Sequence, residues 1–255
     1  MVIRCATYTI NTGFFKSQIT MNVLCIAAHP DDCEILCAGT LIRYAKNGHN
    51  VTIAVFTDGS MGDASIAPGV LRRTRESETR AAAAIIGAKV IWGGVLDEHV
   101  FPDTEQRRIM IDILREADPD VIITHSPSDY HPDHRYVQQL VFDSYFQKGL
   151  PHIPGQQRPA CRFAQAQLYY MDNLGGIDFQ PTEYVDISDV FDTKQAMLAC
   201  HESQFSAMKD LAFTDLSEMI EIQARFRGMA AGCRYAEGFT RSDAFQRGLT
   251  KRILP

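Results

Sequence analysis

Asn22–Ala28 reads NVLCIAA and runs directly into His29-Pro30-Asp31-Asp32-Cys33-Glu34. A short apolar run that ends in a polar cluster has the pattern of a buried parallel strand opening into a loop and then a helix. Ile35, Ala38, Leu41, Ile42 and Ala45 recur at helical spacing, so a helix is expected from about Cys33 to Asn47, stopped by Gly48. The same unit repeats downstream. Val51–Thr57 (VTIAVFT) is a second buried strand, followed by a loop from Asp58 to about Pro68 and a helix over Val70–Ile86 closed by Gly87. Lys89–Trp92 is a short third strand and Thr104–Ala117 a helix. Val121–Thr124 (VIIT) is a fourth strand that enters His125-Ser126-Pro127-Ser128-Asp129-Tyr130-His131-Pro132-Asp133-His134. A helix over Pro132–Gln147 follows, with proline in its first turn.

Beyond this point Gly149–Arg162 is rich in Pro, Gly and Gln and reads as a long loop. Gln167–Met171 and Glu183–Ile187 are further strands. Ser188 or Asp189 caps a helix to about Phe205, and a last helix covers Leu216–Met229. Alternation of strand and helix implies an α/β fold: a doubly wound, Rossmann-like, mostly parallel sheet with helices on both faces and strand order 3-2-1-4. Residues 1–20 read as an extension outside the core and 21–255 as one domain. The first 20 residues lack the apolar run of a secretory signal.

The net charge of −6 and the acidic residues Glu76 and Glu78 beside Arg72, Arg73 and Arg75 argue against a nucleic-acid partner. No apolar stretch is long enough for a membrane span. The seven cysteines (Cys5, Cys25, Cys33, Cys37, Cys161, Cys200, Cys233) are scattered, odd in number and without a C-x-x-C pair. That pattern fits neither a disulfide framework nor a thiolate zinc knuckle and suits a reducing, cytoplasmic setting. Cys25 reads as a small buried hydrophobe.

Chemistry concentrates in HPDD (29–32) and HPDH (131–134), each at the carboxyl end of a strand. The first and fourth strands of a doubly wound sheet are neighbours, and ligands bind in the crevice where the strand order reverses. Two imidazoles and a carboxylate suit a catalytic zinc with an open position for water. Asp31 and Asp32 are adjacent, so one can bind metal while the other faces the water and takes its proton. Competing local readings are helix capping by Asp31 with Glu34, capping by Pro132-Asp133, and a hydrogen-bonded structural role for His29. A nucleotide in the crevice would call for G-x-G-x-x-G, where this chain has HPDDCE.

At these residues the sequence resembles the PIG-L/LmbE-like family of zinc-dependent de-N-acetylases. Ala28–Glu34 is similar to its A-H-P-D-D-x-E and His131–His134 to its H-x-D-H. Arg75–Glu78 with Ala82 and Gly87, Lys194 through His201–Gln204, and Ala236–Phe239 extend the likeness. The resemblance implies metal ligands at His29, Asp32 and His134, and a general base at Asp31. It places at His131 a group that stabilises the oxyanion or protonates the leaving amine. Asp133 is expected to orient a histidine. Zn²⁺ is the implied cofactor, iron(II) suits the same donors, and a homo-oligomer is implied.

Three further residues carry two readings each. Arg75 contacts substrate or is a solvated helix-face charge paired with Glu78. Asp58 borders the pocket or is a turn residue before Gly59, and His201 has a role in the site or is structural. His125 reads as structural. The expected function is removal of an acetyl group from an N-acetylglucosamine-type sugar. The alternatives are an amidase on another acyl amide, such as a thiol-sugar conjugate, and a non-catalytic sugar- or nucleotide-binding domain.

Overall fold

In a computed structural model, residues 20–155, 157–161, 166–208, 215–242 and 254–255 are described. The extension expected at 1–20 falls outside these except for its last residue. Seven strands form one sheet in the order β3-β2-β1-β4-β5-β7-β6. They are β1 (Asn22–Ala27), β2 (Asn50–Thr57), β3 (Lys89–Val95), β4 (Val121–Thr124), β5 (Gln167–Met171), β6 (Glu183–Asp186) and β7 (Ala236–Arg241). The 3-2-1-4 half is parallel throughout, as is β4 with β5. β7, which carries no obvious strand pattern in AEGFTR, inserts antiparallel between β5 and β6.

Strand alternation explains the two-sided core. Val23, Cys25 and Ala27 face one cluster with Val51, Ile53 and Val55, covered by α1 (Asp32–Leu36), α2 (Ala38–Lys46), α3 (Pro68–Ile85) and α6 (Phe191–Leu198). Leu24, Ile26 and Ala28 face the other with Phe56, covered by α4 (Thr104–Ala117) and α5 (Pro132–Ser144). Both faces of β1 are thus dry, which is why its sequence is an unbroken apolar run. Two further α-helices among the described residues are α7 (Glu202–Met208) and α8 (Leu216–Ala231). No helix among the described residues is long and apolar enough to cross a membrane.

The single helix expected over Cys33–Asn47 is two, broken at Cys37 (φ −147°), and the one expected up to Phe205 is likewise two. The first break is stabilised from far away. The Glu237 carboxylate on β7 accepts hydrogen bonds from Gly39 N (2.9 Å), Thr40 N (2.7 Å) and Thr40 Oγ1 (2.6 Å), so it caps the N-terminus of α2. Lys194 Nζ pairs with the same carboxylate at 2.6 Å and donates to Ile35 O at 2.9 Å, closing the end of α1. Both residues are almost completely buried. Lys194→Met leaves the capping carboxylate without its cation. It is expected to cost about 3–5 kcal/mol, read as a lower midpoint in denaturant unfolding. An unchanged midpoint would show that the α2 amides suffice alone.

A bulge shapes the sheet edge next to the crevice. Val55 pairs with Trp92 but Thr57 with Val95, so β3 carries an extra residue. Gly93 fits there because a Cβ would stand 2.4 Å from Phe56 O. The bulge brings the end of β3 round so that Asp97 faces His29.

Candidate metal and catalytic site

The loops after β1 and β4 meet, as the switch-point rule requires. His29 Nδ1 lies 3.2 Å from His134 Nε2 and 3.5 Å from Asp32 Oδ2, and His134 Nε2 lies 3.4 Å from Asp32 Oδ1. Three donors about 2.1 Å from one tetrahedral zinc stand roughly 3.4 Å apart, so this spacing fits the ion. The outward nitrogens fit it as well. His29 Nε2 faces Asp97 Oδ1 (3.3 Å) and Asp133 Oδ2 (3.4 Å), and His134 Nδ1 faces Asp129 Oδ2 (3.0 Å). These carboxylates favour a proton on the outward nitrogens by charge and proximity, although neither His29 Nε2 nor His134 Nδ1 makes an aligned hydrogen bond. Asp133 lies beside His29. Asp97 and Asp129 escape sequence reasoning, although both follow the carboxyl ends of strands, where side chains reach the crevice.

Asp31 sits at the N-cap position of α1 but its side chain caps nothing. Its backbone is left-handed (φ 101°, ψ −25°), a conformation that costs a non-glycine residue about 1–3 kcal/mol. Asp32 returns to the loop, accepting from His29 N at 2.7 Å, while Asp31 Oδ2 is buried without a hydrogen-bond partner. Burial, then the neighbouring Asp32 carboxylate, push Asp31 up to about 7, against the pull of His201, Arg75 and His29. Asp32 goes the other way. Burial opposes its charge, but His134 outweighs burial and holds it well below the usual range.

His131 caps α5, its Nδ1 accepting from Asp133 N at 3.2 Å. The ring proton is therefore on Nε2, which lies 3.4 Å from Glu98 Oε1. Burial and the neighbouring His29 and His134 lower its pKa, which favours the neutral ring. His125 is fully buried and accepts from Ala28 N through Nε2 at 2.9 Å, tying β4 to the end of β1. Burial, then His134, take it down to about 4, which keeps it neutral and structural.

His29, Asp31, Asp32, Arg75, Asp97, Glu98, Tyr130, His131 and His134 line one cavity of about 200 Å³. Arg75 is not solvated and does not pair with Glu78. It is buried, reaches Gly59 O at 3.3 Å and leaves Nε unpartnered. Glu78 instead accepts from Ser203 N and Oγ. Asp58 is outside the lining and accepts from Ser60 N and Asp97 N, so it is a turn residue that steadies Asp97. His201, also outside it, is buried 3.4 Å from Glu34 Oε2, behind Asp31.

Without a metal both inward imidazoles are pushed above the usual histidine range. For His29, burial opposes the charge but Asp133, Asp32 and Asp97 outweigh it. For His134, burial is likewise outweighed by Asp32 and Asp129, which bring it to about 9. Ligation requires both protons to leave. Zinc uptake at pH 7 is therefore expected to release protons, and zinc affinity to rise with pH while these rings still carry them. Calorimetry in buffers of different ionisation enthalpy measures this. Zinc uptake with no proton release would place the metal on other donors.

Comparison with known proteins agrees with this geometry. The family described as PIG-L: GlcNAc-PI de-N-acetylase matches residues 24–145. A diacetylchitobiose deacetylase of Thermococcus kodakarensis is 32% identical over 91% of this chain and 86% of its own. The solved N,N'-diacetylchitobiose deacetylase of Pyrococcus horikoshii superposes with TM-score 0.76 at 27% identity, over 91% of this chain and 87% of that one. A 4-oxalmesaconate hydratase of Pseudomonas putida is 23% identical over 74% of this chain and 78% of its own, so the same scaffold is also used for hydration.

Proposed function

Since the chain belongs to the PIG-L family of de-N-acetylases, we propose that it is a zinc-dependent amide hydrolase that releases acetate from an N-acetylglucosamine-type sugar. The observation that carries this reading is the convergence of His29 Nδ1, Asp32 and His134 Nε2 within 3.5 Å of one another, in one cavity with the unpartnered carboxylate of Asp31.

His29, Asp32 and His134 hold the ion, with Asp97, Asp133 and Asp129 behind the rings. Zinc bound there supplies an electrophile that acidifies water and polarises the acetamide carbonyl. Asp31 takes the proton from the attacking water. A carboxylate raised towards neutrality is basic enough to accept that proton and acidic enough to return it to the departing amine. His131 donates its Nε2–H to the oxygen that becomes negative as the carbonyl carbon turns tetrahedral. Arg75, a buried cation in the cavity wall, orients a sugar oxygen. A small cavity whose polar groups stand opposite Ile35, Leu36, Leu174 and Leu216 suits one acetamido-sugar ring at the reacting end. All six cysteines among the described residues are free, which suits a reducing compartment such as the cytoplasm.

The test is acetate release from a panel of N-acetylated sugars, including diacetylchitobiose, with and without a chelator. Acetate that appears only in the metal-loaded enzyme supports the reading. Turnover of an unsaturated carboxylic acid by hydration, with no acetate from any sugar, would replace it with the chemistry of the hydratase relative.

A further inference from the structure

The cysteines scattered in the sequence converge in the fold. Cys33 in the first turn of α1 and Cys37 at its break are four residues apart on one helical face, and β1 presents Cys25 to them. Cys25 Sγ lies 2.7 Å from Cys33 Sγ and 3.4 Å from Cys37 Sγ, and all three sulfurs fall within 4.8 Å of one another. Each residue is at most 1% exposed. This cluster belongs to the core face under α1 and α2 and takes no part in the cavity of the catalytic site.

Three convergent thiols form a soft donor set. Their surroundings select the occupant by charge. Val23, Ala27, Leu36, Ala38 and Leu41 belong to the same apolar cluster. The buried cation nearest in the architecture, Lys194, is already neutralised by Glu237 at 2.6 Å. A monovalent or divalent cation on three thiolates leaves a net negative charge in this dry place, which is costly. A trivalent centre on three thiolates leaves none. We propose that Cys25, Cys33 and Cys37 form a binding site for trivalent arsenic or antimony, a three-coordinate, electrically neutral tris-thiolate. In arsenous acid, three As–O bonds break and three As–S bonds form. Each thiol proton leaves with one hydroxide as water, and no electron changes hands.

The experiment uses the full-length chain reduced with a thiol-free phosphine, incubated with arsenite and passed through gel filtration. One arsenic is retained per chain, native mass spectrometry shows a gain of one arsenic less three hydrogens, and arsenic X-ray absorption shows a first shell of three sulfurs. Cys25→Ala, Cys33→Ala and Cys37→Ala each lose the retained arsenic, while Cys200→Ala keeps it. The absorption spectrum of the unmutated chain decides the matter even if a core variant fails to fold. No retained arsenic, a shell of two sulfurs, or loss of binding in Cys200→Ala overturns the site. Tighter occupation of the same three sulfurs by cadmium(II) or copper(I) overturns the charge argument that selects a trivalent centre.

Discussion

Asp31→Asn loses about 10²–10⁴-fold in turnover of an N-acetylated sugar while its fold and bound metal stay as they were. Asparagine matches the shape of the carboxyl group and tolerates the left-handed backbone at this position, so the loop is preserved. It cannot accept the water proton. The loss should fall on kcat rather than KM, because proton transfer belongs to the transition state and not to sugar binding. The pH profile provides a second readout. Asp31 stands at about 7 in the metal-free protein because burial and Asp32 disfavour its charge. A cation beside it pulls that value down, so the wild-type enzyme gains activity with rising pH through a limb below 7. The variant should lack this limb. Turnover equal to wild type, with an intact acid limb, would mean that another group is the base.

His134→Ala is expected to empty the metal site, and with it nearly all activity. His134 is the hinge of the arrangement, since its Nε2 faces both His29 and Asp32 while its Nδ1 is held by Asp129. Removing it leaves two donors on one loop, too few for a closed tetrahedral set. Metal analysis after gel filtration reads the outcome directly: close to one equivalent in the wild type, close to none in the variant. Asp129→Asn should be gentler. The ring keeps its place but loses the carboxylate that makes it basic, and affinity falls about 10–100-fold. Full metal content in His134→Ala would dismantle the ligand assignment, whatever activity did.

The parallel half of the sheet was readable because buried parallel strands are apolar on both faces, and each here ends in a glycine- or aspartate-rich turn. β4 (Val121–Thr124), α4 (Thr104–Ala117) and β5 (Gln167–Met171) begin and end where expected. β7 was not readable. AEGFTR has one large apolar residue, and its place between β5 and β6 is set by partners that precede it by about 50–70 residues. The break at Cys37 was hidden for a similar reason, since the apolar positions keep helical phase across it and only Glu237 makes the second N-terminus stable. In the site, HPDD and HPDH stand out because strand-end histidines and aspartates are concentrated in four-residue runs. Asp97 and Asp129 carry the same chemistry singly, and one aspartate after a strand is common in any turn. Arg75 was ambiguous because a helical wheel does not show that the loop carrying Gly59 and Gly62 folds over it.

The tie between Glu237 and the start of α2 has a bearing on how the molecule is made. The two histidine loops leave the ribosome roughly 200 and 100 residues before the carboxylate that steadies the helix pair behind the first of them. Until that late segment emerges, Gly39 N, Thr40 N and the charge of Lys194 lack the Glu237 carboxylate. A nascent chain can therefore carry every ligand for its ion and still lack a firm floor beneath them. That floor firms only when β7 slots between β5 and β6.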